Sequence, residues 1–372
     1  MAATSFRVEE RPGKGRCAVA SVRIRRGEVV LSDPGVVLPV LVHDRWHSHC
    51  WGCLRALHGA KTARCARCKT ARFCGKACQV AAWRSGHKLE CSPALQVIDT
   101  GADEVIATDA LLLARVLLAD QRRDLDVLQA SPARPEDAMV AGLACSIIKA
   151  PHRSQEATEI WRKFDRNNFG VVDDLYTVIG AGVYPQGAIL NHSCVPNCVL
   201  FYRREPGRVV QEIRCLDEVI EPGTELVHAY CDAVEPTSAR QHKLMSTYGF
   251  SCTCELCSLP EDQEAKGSHL AALVERLGVD LAANIEAGQI EAACKSSSAL
   301  LDAYKQVYAS CPYNPVIGLQ LFTLADLVAM RDGPNDKSSS KDLYSRAREI
   351  LHVSYGADND FVQRLGAILR DQ

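Results

Sequence analysis

No long apolar run interrupts this chain. The longest, Leu111 to Ala119, is short and carries Arg115 within it, so no segment reads as a membrane span. Met1 to Gly15 lacks the apolar core of a secretory signal. Excess charge is scarce as well. A formal net charge of -2 argues against general polyanion binding by the whole protein, because non-specific phosphate affinity needs a surplus of Lys and Arg. What the chain has in quantity is cysteine, eighteen in 372 residues. Without a secretory signal, that number points to metal binding and reduced thiols in the cytoplasm, the nucleus or both, not to a disulfide framework. A chain of this length holds two to three compact units, each able to bury its own core.

Eight of the metal-type ligands stand close together, as Cys50-x2-Cys53, Cys65-x2-Cys68, Cys74-x3-Cys78 and His87-x3-Cys91. A closed Zn²⁺ site takes four Cys or His ligands in a tetrahedron, and a two-residue spacing lets one turn present two thiolates to one ion. The i,i+4 pairs Cys74/Cys78 and His87/Cys91 fall on one face of a helical turn. Four pairs complete two sites, though spacing alone does not say which pairs share an ion. With every position filled by protein, such zincs organise a segment too small for a core of its own. From Asp44 to Cys91 there are ten Lys or Arg against two acidic residues. That basic face could meet nucleic acid or acidic partners, or be a solvated rim.

Residues 5 to 42 turn like short antiparallel strands, with breaks at Arg26-Gly27-Glu28 and Asp33-Pro34-Gly35. Helical patterns follow at Asp109 to Ala119 and Ala138 to Lys149. Strand-like segments return at Ala188 to Leu190, Cys198 to Tyr202, Val209 to Cys215 and Glu225 to Tyr230, and beyond Cys257 amphipathic helices run almost throughout.

Two further segments, Asn191-His-Ser-Cys-Val-Pro-Asn-Cys198 and Glu225-Leu-Val-His-Ala-Tyr230, follow the cysteine module in order. This arrangement resembles the SET- and MYND-domain (SMYD) protein lysine methyltransferases, in which a MYND zinc module is inserted into a split SET domain. The likeness extends over most of the chain. It implies an α+β chain: a split SET β-fold with an inserted MYND zinc module and a helical insertion, a post-SET zinc site, and a C-terminal α-helical domain like stacked tetratricopeptide hairpins. The corresponding bounds are 1–46 for the first SET part, 47–93 for the zinc module, 94–165 for the helical insert, 166–235 for the SET core, 236–260 for the post-SET segment and 261–372 for the helical domain.

The resemblance also implies roles. Cys50, Cys53, Cys74 and Cys78 would hold one zinc and Cys65, Cys68, His87 and Cys91 the other, in a cross-brace. Cys252-x-Cys254-x2-Cys257 offers three thiolates, and Cys194 is the family's fourth, giving a third zinc. Asn191 and His192 would hold S-adenosylmethionine, together with the Pro12-Gly13-Lys14-Gly15 loop, Asn167, Phe250 and Tyr230. Glycines in that loop let backbone approach a ligand closely. Pro12 and Lys14 depart from the family's usual residues there. Tyr230, Tyr248 and Phe169 would line the channel for a lysine side chain, with the Tyr230 hydroxyl orienting the amine as the catalytic residue. His228 stands beside that channel where an apolar residue is usual.

Methyl transfer from a sulfonium to an amine is an in-line displacement that needs a neutral lysine nitrogen and strict alignment. Desolvation and a neighbouring positive charge both favour the neutral amine. The expected activity is therefore S-adenosylmethionine-dependent protein-lysine N-methylation of histone tails or other proteins, by a monomer that also meets proline-rich partners through its MYND module. One competing reading is a zinc adaptor or transcriptional co-regulator with a weak SET domain. Another is a DNA-reading factor that uses the basic zinc module.

Overall fold

A computed structural model of the chain describes residues 5–57, 62–91, 95, 103–119, 122–333 and 338–371. The expected end of the zinc module at Pro93, and the boundary that follows it, lie outside the described residues. The chain divides into two compact units. One comprises residues 1–31, 189–201 and 213–372, and the other residues 32–188 and 202–212. Elements are α+β, with small sheets, a cysteine-rich module and a helical C-terminal array.

In the first unit, strands Phe6–Arg11 and Gly15–Ala20 pair antiparallel from Phe6↔Ala20 to Arg11↔Gly15. Pro12 and Gly13 form the turn, closed by the Lys14 amide donating to Arg11 O at 3.1 Å. Gly13 has φ of 73°. Proline followed by a residue of positive φ suits a tight turn in which glycine meets no steric penalty, so Pro12 has a backbone reason to be there. Ala18, Ala20, Ile24, Leu190, Ile213, Cys215, Ile220 and Leu226 make the unit's β core.

The two signature segments run side by side in parallel, with Asn191 opposite Val227 and His192 opposite His228. Regular strand covers only Val227–His228 of the six residues expected to be extended from Glu225 to Tyr230. Side chains do the remaining pairing. Asn197 donates from Nδ2 to Glu225 O at 2.8 Å and accepts at Oδ1 from the Val227 amide at 2.9 Å. Ala188 to Leu190 was expected as strand, but Gly187–Ile189 forms a single helical turn.

Among the described residues the C-terminal array has five helices, Glu261–Glu286, Ile290–Val307, Pro315–Asp332, Ser338–Tyr355 and Asp360–Asp371, each packed on the next. Ala293, Leu300, Leu301, Leu321 and Ala347 fill their interior. Burying each leucine contributes about 1.5–3 kcal/mol. Asn314 caps the third helix by accepting from the Val316 amide at 2.9 Å, with Pro315 at the first helical position. Gly318 lets that helix approach the fourth, since a Cβ there would lie 2.8 Å from Leu351.

In the second unit, the helix Glu104–Leu118 begins earlier than the apolar run suggests, because Asp103 caps it by accepting from the Val105 and Ile106 amides at 3.0 and 3.2 Å. Leu111, Leu112, Leu113, Val116 and Leu117 are buried in one core with Trp46, Trp51, Phe73 and the cysteines of the zinc module. No described helix is long and apolar enough to cross a membrane.

Candidate zinc centres and cofactor cavity

Three groups of four ligands converge. Cys50, Cys53, Cys74 and Cys78 form one, Cys65, Cys68, His87 and Cys91 the second, and Cys194, Cys252, Cys254 and Cys257 the third. In the first, Cys53 and Cys74 sulfurs lie 3.8 Å apart and Cys74 and Cys78 sulfurs 3.4 Å apart. The second has Cys65 to Cys91 at 3.5 Å and Cys68 Sγ to His87 Nε2 at 3.7 Å. In the third, Cys194 lies 3.6 Å from Cys257. A tetrahedron with Zn–S bonds of about 2.3 Å has edges of roughly 3.8 Å, so these groups fit zinc. The alternation of pairs is the cross-brace. No disulfide joins any of the eighteen cysteines, all of which lie among the described residues.

Backbone and side chains around the ligands prepare them. The Cys74 and Gly52 amides donate to Cys50 Sγ at 3.3 and 3.4 Å. His87 sits in a wide helical turn, with Nδ1 3.8 Å from Glu90 Oε2. Burial alone would push the Glu90 carboxyl up, but the Arg115 guanidinium beside it holds it below the ordinary value. Arg115 also donates to Leu38 O and Pro39 O at 2.9 and 2.7 Å. The residue that breaks the apolar run in sequence thus reaches the outer side of a zinc ligand. In the third group, Gln241 clamps the cysteine loop, donating to Cys252 O at 2.7 Å and accepting from the Cys252 amide at 2.9 Å. Arg240, almost fully buried, lies 3.6 Å from Cys257 Sγ and offsets thiolate charge.

Beside the third group, within the same unit, is a cavity of about 500 Å³. Gly13, Lys14, Asn191, His192, Glu225, Tyr230 and Phe250 line it, and Cys252 and Cys254 complete the wall. Asn191 Nδ2 donates to Arg16 O and Glu225 Oε1, both at 3.0 Å, and contacts Cys17 Sγ at 3.3 Å. Lys14 Nζ is 2.6 Å from Glu225 Oε2. Against the upward push of burial, the bonds from Lys14 and Asn191 hold the Glu225 carboxyl below its ordinary value. Glu225, Arg240 and Gln241 were not singled out from sequence. Glu225 stands inside the second signature segment, which is the one signal that could have found it.

Of the expected site residues, the cavity brings together Gly13, Lys14, Asn191, His192, Tyr230 and Phe250. Pro12 serves the turn and is not part of the lining. Tyr248 and His228 stand behind Tyr230, with ring centroids 4.8 and 4.7 Å from it. The Tyr230 amide donates to His192 Nδ1 at 2.9 Å and its hydroxyl to Leu190 O at 2.8 Å. Burial raises the Tyr230 phenol well above its ordinary value, so it stays protonated. Asn167 and Phe169 belong to the other unit. There Asn167 Nδ2 donates to Lys163 O at 3.0 Å, and the Phe169 ring lies 6.0 Å from Tyr184.

His228 carries its hydrogen on Nδ1, which faces Ala229 O at 3.1 Å, and burial pushes its pKa down to about 4. A group whose folded pKa is depressed contributes stability that is present above its unfolded pKa and is lost as pH falls through the folded one. Between pH of about 6.5 and about 4, His228 is therefore expected to remove up to about 3 kcal/mol. Replacing it by Phe should shrink the drop in melting temperature between pH 7 and pH 5. An unchanged drop contradicts the assignment.

Comparison with known proteins adds to this geometry. The MYND finger family model matches residues 50–91. N-lysine methyltransferase SMYD2 of Sus scrofa and of Homo sapiens are each 29% identical over 271 residues, and that of Gallus gallus is 30% identical. Each alignment covers 68% of this chain and 60% of the relative, so the match spans less than two thirds of those proteins.

Proposed function

Because the chain belongs to the SET- and MYND-domain (SMYD) family, we propose that it is a protein-lysine N-methyltransferase dependent on S-adenosylmethionine. The observation that carries this reading is the cavity in which both signature segments, the glycine turn and the third cysteine group meet. Its residues fit a zwitterionic cofactor with a flat ring system. Lys14 offers a cation for a carboxylate, Glu225 and Asn191 offer acceptors for an ammonium, and Phe250 offers an aromatic face. When bound, the cofactor supplies an electrophilic methyl group on a sulfonium.

The chain's own residues do the rest. Tyr230 donates to Leu190 O, which leaves its oxygen lone pairs to accept from an incoming amine and hold the nitrogen in line. Tyr230, Tyr248 and His228 make an apolar, ring-lined approach that strips water from the lysine. Desolvation of this kind lowers an amine's pKa and favours the neutral nucleophile. Three zincs are structural in this reading, the third fixing Phe250 at the cavity wall. The substrates are lysines of histones or other proteins, reached in the cytoplasm or nucleus, with the MYND module as an interaction surface. The adaptor reading is not favoured, since the relatives that the chain matches are named as N-lysine methyltransferases.

Label transfer tests this directly. Zinc-replete protein with methyl-labelled S-adenosylmethionine is expected to label lysines in histone or lysate protein. Tight cofactor binding without any label transfer would return the adaptor reading.

A further inference from the structure

Cys194 belongs to two overlapping groups, the four-thiolate set and a second formed with His192 and Cys231, whose ligand atoms all lie within 4.8 Å of one another. His192 Nε2 is 3.2 Å from Cys194 Sγ and 3.8 Å from Cys231 Sγ. The second group is not a metal site. His192 Nδ1 accepts from the Tyr230 amide, so in the neutral ring Nε2 carries the hydrogen and faces the sulfurs as a donor. Cys231 is left as a fifth thiol against a closed four-ligand site, hydrogen-bonded to one of its ligands and used by no step of methyl transfer.

We propose that Cys194 and Cys231 form an oxidation site, at which hydrogen peroxide joins them as a disulfide and releases the third zinc. The proposal rests on the third cluster holding zinc. Both sulfurs are buried, at 4% and 6% exposure, but Cys252 and Cys254 line the cavity, and a molecule the size of peroxide reaches the cluster through it. The Cys194 thiolate attacks one peroxide oxygen, the O–O bond breaks, and the products are a Cys194 sulfenic acid and hydroxide. Cys231 sulfur then attacks the sulfenic sulfur, its proton leaves with the displaced hydroxyl as water, and the S–S bond forms. The two cysteine sulfurs lose two electrons and peroxide gains them. A side-chain rotation closes the sulfurs to the S–S distance of about 2.05 Å. Cys252, Cys254 and Cys257 alone leave one corner of the tetrahedron to water, so the ion is held weakly enough to pass to a chelator, and the loop that carries Phe250 then loses its anchor.

The experiment is peroxide titration of the zinc-replete full chain, with released zinc read by a chromogenic chelator and cysteines mapped by mass spectrometry. Zinc content is expected to fall from three ions to two as the Cys194–Cys231 disulfide appears, and dithiothreitol with added zinc should restore three. In Cys231→Ser the disulfide cannot form, so the dose that joins the two cysteines in wild type should leave a Cys194 sulfenic acid, trapped by a dimedone-type reagent, which wild type does not accumulate. Zinc loss with Cys231 still alkylatable as a thiol overturns the proposal, as does a starting content of two ions. The disulfide map on wild type decides the matter even if the variant folds poorly.

Discussion

Tyr230→Phe is expected to lower methyl transfer by about 10²- to 10³-fold, the usual effect of deleting one aligned hydrogen-bonding group from a water-excluded site. The ring is held independently of its hydroxyl, by the backbone bond to His192 and by packing on Tyr248 and His228. Phenylalanine keeps that packing. The lost bond to Leu190 O costs about 1 kcal/mol, which a folded domain tolerates, so cofactor binding and melting temperature should change little. The expected signature is a fall in kcat at near-constant cofactor affinity. Turnover comparable to wild type would remove Tyr230 from its proposed role.

Arg115→Ala should produce the largest loss of stability of any change outside the ligands. Its guanidinium is the counter-charge of fully buried Glu90 and the donor for Leu38 O and Pro39 O. Breaking a buried pair by removing one partner costs about 3–5 kcal/mol, because the remaining charge is uncompensated. Glu90 also backs the zinc ligand His87, so the variant should surrender a zinc ion to a chelator faster than wild type. Adding Glu90→Gln to Arg115→Ala should recover part of the loss, since the double variant buries no lone charge. Denaturant midpoints in excess zinc check both statements, and a single-variant loss below about 1 kcal/mol would show that the pair contributes little.

The legible and the hidden parts of this molecule differ in the range of the interactions involved. Metal spacing is local. Cys50-x2-Cys53 and its three companion pairs announce ligands from sequence alone, and the fold then settles their interleaved grouping. Helices beyond Cys257 are equally local, because their periodicity needs no partner to be seen. The Lys14–Glu225 pair joins residues 211 apart, and neither looks unusual in its own segment. Arg115 looked like an interruption of an apolar run, yet it is paired with Glu90, which has no local signal. The segment from Glu225 to Tyr230 alternates as a strand should, but side-chain bonds from Asn197 replace much of its ladder. Cys231 stands in no ligand-spaced pair, and only the fold sets it beside Cys194 and His192.

Calorimetric titration of the zinc-replete protein with S-adenosylmethionine tests the central claim most directly, with Asn191→Ala measured alongside. Asn191 donates to Arg16 O and Glu225 at the cavity floor, so its loss frees the Glu225 carboxylate and unfastens the turn that bears Lys14. The account predicts saturable binding at one site per chain, weakened at least about tenfold in the variant, a difference of roughly 1.4 kcal/mol. No binding by folded wild-type protein that retains its three zincs, or binding that Asn191→Ala leaves unchanged, would contradict it.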